Sequence, residues 1–367
     1  LSMTIEEEIK SIEDELWKTP YNKATQHHIG RLKAKLARLK EEQQRQAIAK
    51  SAARGEGFNI KKSGDATAVV VGFPSVGKST LLNALTGTEA AVAAYDFTTL
   101  EVIPGTLLYK GARIQILDIP GLIQGAAMGR GRGKEVISVL RNADLLLIMV
   151  DVGKPEQYET LVRELHEAGI RLNRRPPELT IRKVSRGGIL VNSTVELELD
   201  DRMIKAVLAE YKIHNAEVLI RERISLDELI DAVAGNRKYI RALTLINKID
   251  LADPEHLRAI MARFPNSIAI SAALGLNTES VKERIYAELE FIRVYMKPLG
   301  EPPDMENPLV IKRDSTVSSV CSTIHREFTE KFRYARIWGK SAKYGGQRVG
   351  LSHVLADGDV VSIVTRK

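Results

Sequence analysis

Strand-length apolar runs alternating with helical periodicity predict an α/β fold with a parallel-type sheet. A helical hairpin precedes it and a small β-rich domain follows. Three observations carry this reading. Apolar residues recur at three- and four-residue steps through residues 4–50. From Thr67 onward, short β-rich runs alternate with helical ones. Beyond Pro308, strand-like runs flank one helical stretch.

Ile5, Ile9, Ile12 and Leu16 form one apolar stripe, and Ile29, Leu32, Leu36 and Leu39 form a second. The Thr19-Pro20-Tyr21-Asn22 break lets the two helices pair as a hairpin, with Arg31, Lys33, Lys35, Arg38 and Lys40 on the polar side of the second. Residues 1–60 are therefore a helical N-terminal region, closed by a glycine-containing linker over 55–64. Residues 61–169 open the central domain, with strands expected at 68–71, 113–117 and 144–150 and a helix at 80–85. The third of these strands is apolar almost throughout, as a strand buried on both faces requires. A single crossover helix over 156–168 would leave about seventy residues before the next strand, at 242–246, and a loop of that length is foreign to a compact domain. Residues 170–240 accordingly read as an inserted α+β subdomain. Its strands are expected at 179–185 and 189–199 around a Gly187-Gly188 turn, and its helices at 202–211 and 226–233. Residues 241–300 complete the central domain with strands at 242–246 and 267–270. Pro302-Pro303 and Asn307-Pro308 introduce the last domain, 301–367, with strands at 309–312, 334–338 and 360–365 and one helix over 317–331. Asp357-Gly358-Asp359 turns into its final strand.

Composition narrows the class. A hydrophobic fraction of 44% with 28% charged residues is that of a soluble globular chain. The longest apolar stretch falls far short of the roughly 20 residues that span a bilayer, and no signal-peptide succession is evident at the start. A single cysteine, Cys321, excludes an internal disulfide framework and a cysteine-based zinc site, and suits a reducing, cytoplasmic setting. The net charge of +7 is uneven: residues 308–367 carry eleven Lys/Arg against five Asp/Glu, and residues 1–62 carry thirteen against nine. The ends are basic and the middle slightly acidic, which suggests polyanion-facing appendages on an enzymatic core.

The chemistry is concentrated in short motifs. Gly72-Phe73-Pro74-Ser75-Val76-Gly77-Lys78-Ser79 stands between a strand and a helix that includes Thr80. Such a loop turns backbone N–H groups inward on a β-phosphate at the positive end of the helix. Lys78 is placed to reach the β- and γ-phosphates and the Ser79 hydroxyl to bind Mg²⁺. Asn247-Lys248-Ile249-Asp250 ends a strand, where a carboxylate can accept the N1–H and N2 amino hydrogens of guanine, and adenine offers no such donor pair. Between these motifs, Asp118-Ile119-Pro120-Gly121 follows a strand: Asp118 is expected to hold Mg²⁺ through water and the Gly121 N–H to touch the γ-phosphate. Phe97-Thr98-Thr99-Leu100 offers a further hydroxyl for Mg²⁺. Ser271-Ala272-Ala273 can supply a backbone N–H to the guanine O6. Five such elements in order specify a guanine-nucleotide site, with Lys78, Thr99 and Gly121 as its catalytic groups.

On these motifs, on YDFTTLEVIPG, DIPGLIQGA, LAEYKIHNAEV and GNRKYI, and on the Gly129-Arg130-Gly131-Arg132-Gly133 run, the chain resembles the developmentally regulated GTP-binding proteins of the Obg-like translation-factor GTPases. The resemblance covers nearly the whole chain. It implies a GTPase domain interrupted by a ribosomal-protein-S5-like insert and followed by a TGS domain of β-grasp form. It favours Thr99 over Thr98 as the second hydroxyl ligand of Mg²⁺. It also implies work with ribosomes or structured RNA, a dedicated stabilising protein partner, no membrane, and K⁺ as a further candidate ion. Relatives that use K⁺ often carry asparagine where this chain has Ser75, and many GTPases carry glutamine where it has Leu122. An apolar side chain at 122 cannot orient the attacking water, so slow basal hydrolysis is expected. An arginine supplied in trans would add roughly 10³–10⁵ in rate, and Arg130 and Arg132 are internal candidates for that part.

Two other classes compete with the switch: a P-loop enzyme that phosphorylates a small molecule, and an RNA-binding scaffold with negligible hydrolysis. The base-reading motif argues against the first, and the basic ends suit the second equally well. Among the remaining residues, His27-His28 reads as a surface pair and Cys321 as a small buried apolar side chain. Trp338, Tyr334 and Tyr344 lie among basic residues and could stack on RNA bases, but the expectation for Trp338 in so small a domain is a place in the core. The chain is expected to be a monomer.

Overall fold

The computed structural model describes residues 4–20, 22, 25–52, 64–87, 102–119 and 133–366. Helices α1 (Ile5–Lys18) and α2 (Gln26–Ala52) precede β1 (Ala66–Val71), α3 (Lys78–Thr86), β2 (Ile103–Tyr109) and β3 (Ala112–Asp118). Next come α4 (Gly133–Asn142), β4 (Leu145–Asp151), α5 (Gln157–Glu167) and β5 (Ile170–Leu172). Then follow β6 (Leu179–Lys183), β7 (Ile189–Ser193), α6 (Asp201–Glu210), β8 (Ala216–Ile220) and α7 (Leu226–Ala234). The chain continues through β9 (Lys238–Asn247), a 3₁₀ turn (Ile249–Leu251), α8 (Pro254–Arg263), β10 (Ile268–Ala269) and α9 (Thr278–Glu288). It ends with β11 (Phe291–Met296), β12 (Leu309–Lys312), α10 (Val317–Ile324), α11 (Arg326–Glu330), β13 (Phe332–Trp338), β14 (Gln347–Val349) and β15 (Val360–Thr365). These elements fall into two compact units, one of residues 1–58, 123–141 and 160–240, the other of 59–122, 142–159 and 241–367.

In the second unit, β10, β9, β4, β1, β3 and β2 lie side by side in that order. All neighbours are parallel except β2, which returns antiparallel along β3. Every residue of β1 is buried, and all of β4 but its last, which is why both read as unbroken apolar runs. Strand β2, at the edge, alternates instead. Leu81, Leu82 and Leu85 of α3 and Val281 and Ile285 of α9 close on this sheet. Parallel pairing brings the C-terminal ends of β1, β3, β4, β9 and β10 to one edge, where ligands bind in open α/β sheets.

The same unit holds the C-terminal sheet, in the order β12-β11-β15-β13-β14. Strand β11 pairs antiparallel with β12 and parallel with β15, so this sheet begins before the Pro302-Pro303 break. Its core gathers Val294, Val317, Val320, Cys321, Ala335 and Ile337. The single helix expected over 317–331 is two, because His325 is extended at φ −167° and its imidazole caps α11 by accepting from Glu327 N–H at 3.3 Å. Trp338 is not in the core. Ala335 and Ile337 take the inward positions of β13, and the strand's period of two turns Trp338 to the other face with Tyr334 and Arg336.

In the first unit, α1 packs along α2 through Ile9, Ile12, Leu32 and Leu39. Thr4 and Glu7 form a reciprocal cap at the start of α1. His27 and His28 lie on the surface, paired with Asp200 and Glu15. Helix α2 packs on α6 and α7, sinking Ala34 among Ile204, Val207 and Leu208. Those helices cover a sheet ordered β6-β8-β7, with β6 antiparallel and β7 parallel to β8. The strand expected over 189–199 stops at Ser193, whose hydroxyl bonds Val195 N–H and C=O and turns the chain. Strand β5 pairs parallel with residues 238–240 of β9.

A buried ion cluster fixes that last pairing. Asp231 of α7 accepts from Arg171 Nε at 2.5 Å and Nη2 at 2.7 Å, and from Arg237 Nε at 2.7 Å. Arg171 lies in β5, and Arg237 immediately precedes β9. Removing Asp231 would leave Arg171 without a carboxylate in a dry site and Arg237 with Glu41 alone, at 3.5 Å. Asp231→Ala is therefore expected to lower stability by roughly 3–5 kcal/mol, measured by denaturant unfolding of the full chain.

Candidate nucleotide site

The loop between β1 and α3 has the backbone that a phosphate cradle needs. Gly77 sits at φ 99°, and a Cβ there would lie 2.5 Å from the Asn247 amide nitrogen. A Cβ at Gly72 would meet the Met149 carbonyl at 2.7 Å, so neither position admits a side chain. Ser75 also takes a left-handed conformation, at φ 61°. Lys78 is buried, and its ammonium donates to the carbonyls of Gly72 and Phe73, both at 3.1 Å. Burial pulls its pKa below the ordinary lysine value, against the opposing attraction of Asp118.

Ser79, at the start of α3, donates its hydroxyl to Asp118 Oδ2 at 2.6 Å. Asp118 ends β3 and is buried, and its second oxygen, Oδ1, meets no donor among the described residues. A hydroxyl oxygen and an under-satisfied carboxylate form the hard oxygen donor set that suits Mg²⁺. No group of three His, Cys, Asp or Glu side chains gathers elsewhere among the described residues. The fit is to an ion held by one or two protein oxygens together with phosphate.

At the end of β9, Asn247 is buried and uses both ends of its amide. Its Nδ2 donates to Val76 C=O at 2.8 Å, and its Oδ1 accepts from Ala272 N–H at 3.0 Å. The phosphate loop and the 271–273 loop are thereby tied to one side chain. Ser271 is fully buried and accepts from Leu274 N–H at 3.3 Å, while Ala273 is exposed. Lys248 is left-handed at φ 66°, and its ammonium donates to Asp151 Oδ2 at 2.7 Å. Asp250, in the 3₁₀ turn, is exposed, and none of the hydrogen bonds or ion pairs among the described residues engages its carboxylate.

The structure thus brings Gly72–Ser79, Asp118, Asn247–Asp250 and Ser271–Ala273 to one edge, with Thr80 exposed on the first turn of α3. Thr98, Thr99, Gly121, Leu122, Arg130 and Arg132 lie outside the described residues. Asp151 is the residue that sequence reasoning missed. It ends β4 opposite Asn247 in the β4–β9 register, and its Oδ1 accepts from Gly153 N–H at 2.9 Å. Burial opposes its ionisation, but the hydrogen bonds from Lys248 and Gly153 prevail and hold its carboxyl below the usual range. The signal available was an aspartate closing a wholly apolar strand.

Asp151 is bonded to Lys248, so the effects of changing the two should not add. Asp151→Asn is expected to weaken GDP binding by about 1 kcal/mol alone and by little in a Lys248→Met background, read by calorimetric titration of all four proteins. The carboxyl's pKa is lowered, so its contribution is complete above the ordinary aspartate value and lost as pH falls through the lowered one. The difference between wild type and Asp151→Asn should therefore stay flat from about pH 6 to 8.

Comparison with known proteins gives the family. A family model described as a 50S ribosome-binding GTPase matches residues 67–183. The C-terminal region of MMR_HSR1 domain matches residues 186–291, and the TGS domain matches residues 292–365. A GTP-binding protein of Methanocaldococcus jannaschii is 54% identical over 100% of this chain and 94% of its own length. GTP-binding protein 1 of Schizosaccharomyces pombe is 48% identical, and developmentally-regulated GTP-binding protein 2 of Homo sapiens 45%, each over 99% of this chain and 100% of the relative. Identity at that level along the full length, over a phosphate loop and a base loop joined by one buried amide, places the chain in the family of developmentally regulated GTP-binding proteins, which are GTPases.

Proposed function

We propose that this GTPase is a slow, Mg²⁺-dependent switch that acts at the ribosome. The observation that carries the guanine-nucleotide part is the Asn247 bridge, which holds the phosphate loop and the 271–273 loop at a fixed spacing beside Asp250. In this reading, the loop N–H groups and Lys78 bind the β- and γ-phosphates, and Gly121 N–H contributes at the γ-phosphate. Ser79, Asp118 and Thr99, with Thr98 as alternate, would hold Mg²⁺, whose charge would offset that developing on the transferred phosphoryl oxygens. Asp250 reads the guanine N1–H and N2 hydrogens, Lys248 lies along the base, and the 271–273 backbone donates to O6. Leu122 offers no hydrogen bond to the attacking water, so the basal rate is slow and a partner raises it. The ribosomal assignment is supported by the family description and by the basic ends of the chain.

Calorimetric titration of the Mg²⁺-loaded protein with GDP, a GTP analogue and ATP tests the base site. Guanine nucleotides should bind and ATP should not, and Asp250→Asn should weaken guanine-nucleotide binding by at least about ten-fold, the loss of a charged hydrogen-bond acceptor. ATP binding equal to GDP binding and indifferent to Asp250→Asn would remove the guanine assignment. Co-sedimentation with ribosomes in the GTP analogue but not in GDP tests the switch.

A further inference from the structure

The ten residues from Asn247 to His256, with Asp250 among them, are pinned at both ends to a single residue at the exit of β4. Val152 N–H donates to Asn247 C=O at 3.0 Å. Val152 C=O accepts in turn from the imidazole Nε2 of His256, also at 3.0 Å, and against a carbonyl that nitrogen must carry the proton. The neighbours of Val152 hold the same stretch. Asp151 accepts from the Lys248 ammonium at 2.7 Å, and Gly153 N–H fixes the other Asp151 oxygen at 2.9 Å.

Between the two pins, short local bonds shape the chain. Leu251 N–H donates to Lys248 C=O at 3.0 Å and Ala252 N–H to Ile249 C=O at 3.3 Å, closing the 3₁₀ turn that presents Asp250. Ile249 N–H reaches Ile270 C=O at 3.3 Å. Asp253 then caps α8, accepting from Glu255 N–H at 3.0 Å and His256 N–H at 2.9 Å. The far end of α8 is docked independently. Phe264 meets Tyr158 edge to face with ring centroids 5.0 Å apart, and Arg263 pairs with Glu159. In the first turn of α8, His256 is the one side chain bonded to the β4 exit among the described residues.

We propose that His256 is a positioning residue for base recognition: its bond to Val152 closes the 247–256 stretch and holds the Asp250 carboxylate in place before the base arrives. The inference rests on the reading of Asp250 as the guanine acceptor. A carboxylate fixed ahead of binding needs little ordering when the base enters. On a stretch pinned at one end only, that ordering is subtracted from the affinity. The loss depends on the base. Guanine offers Asp250 both its N1–H and its 2-amino group, and such a two-point fit demands a fixed carboxylate. Hypoxanthine offers the N1–H alone, and a single hydrogen bond tolerates a carboxylate that swings.

The test is calorimetric titration of the Mg²⁺-loaded full chain with GDP and with inosine diphosphate (IDP), for wild type, His256→Ala, His256→Asn and His256→Gln. Glutamine places an amide N–H where the imidazole Nε2 stands, whereas asparagine reaches only as far as Nδ1. His256→Ala and His256→Asn should weaken GDP binding about three-fold, the loss of one exposed hydrogen bond, and IDP binding by less. The ratio of GDP to IDP affinity therefore falls in both. His256→Gln should restore it. His256 is exposed, so none of these changes opens a cavity, and all three variants should unfold thermally close to wild type. Equal weakening of GDP and IDP marks a merely structural contact and overturns the proposal. So does unaltered GDP affinity in His256→Ala, or a His256→Gln protein no better than His256→Asn. The guanine reading fails separately. Wild type that binds ATP as tightly as GDP refutes that reading. Wild type that rejects ATP, with a His256→Ala protein that prefers GDP over IDP to the same degree, refutes only the role of His256.

Discussion

The amide of Asn247 bridges two loops that are far apart in sequence, and the candidate nucleotide site is arranged around that bridge. Its effect is largest through what its loss would leave behind. Each bond contributes about 1 kcal/mol, but an orphaned Val76 carbonyl or Ala272 N–H in a dry site would cost more than the bond was worth. The bridge also explains a glycine. Gly77 must turn left-handed for the phosphate loop, and it must lack a Cβ because the Asn247 amide occupies that space. One requirement is local and the other comes from a strand 170 residues later in the chain.

Strand β9 carries this side chain, and the sheet explains why it is accurately placed. Its neighbours β4 and β10 are parallel to it, so its end is fixed on both sides by ladders that terminate at the same edge. Asp151 and Asn247 are register partners, and Val152 N–H donates to Asn247 C=O at 3.0 Å. Asp118 ends β3 by the same logic, beside the first turn of α3, which presents Ser79. Asp118, Asp151 and Asn247 occupy the last residues of their strands, where packing holds them and the loops can still reach a ligand.

How much of this was legible follows from where each constraint resides. The phosphate loop, Asp118 and Asn247–Asp250 are short contiguous patterns whose chemistry dictates residue type, and they could be read directly. The apolar runs of β1 and β4 were legible because both faces are covered. Strands β5 and β8 were not, since three and five residues, respectively, carry too little periodicity to separate strand from loop. The role of Asp151 depends on the pairing of β4 with β9, which no local pattern encodes. The phase of β13 was illegible for a related reason. Alternation shows that two faces differ, and only the position of α10 decides that Ala335 and Ile337 go inward while Trp338 goes out.

Charge at the base end follows one further rule. Lys248 and Asp250 are two residues apart in a turn, and left alone an ammonium and a carboxylate so close would pair. Asp151 prevents this by engaging the ammonium at 2.7 Å, and its own second oxygen is fixed by Gly153 N–H. The pair is half-buried, with 32% and 20% of its side chains exposed, and its hydrogen bonds outweigh the desolvation of Asp151. The left-handed turn at Lys248 directs the lysine back toward the end of β4 and leaves Asp250 exposed. The carboxylate proposed to read guanine thus keeps its acceptor oxygens for a ligand. An aspartate engaged by Lys248 and Gly153 would then contribute to base recognition by occupying the cation two residues from Asp250.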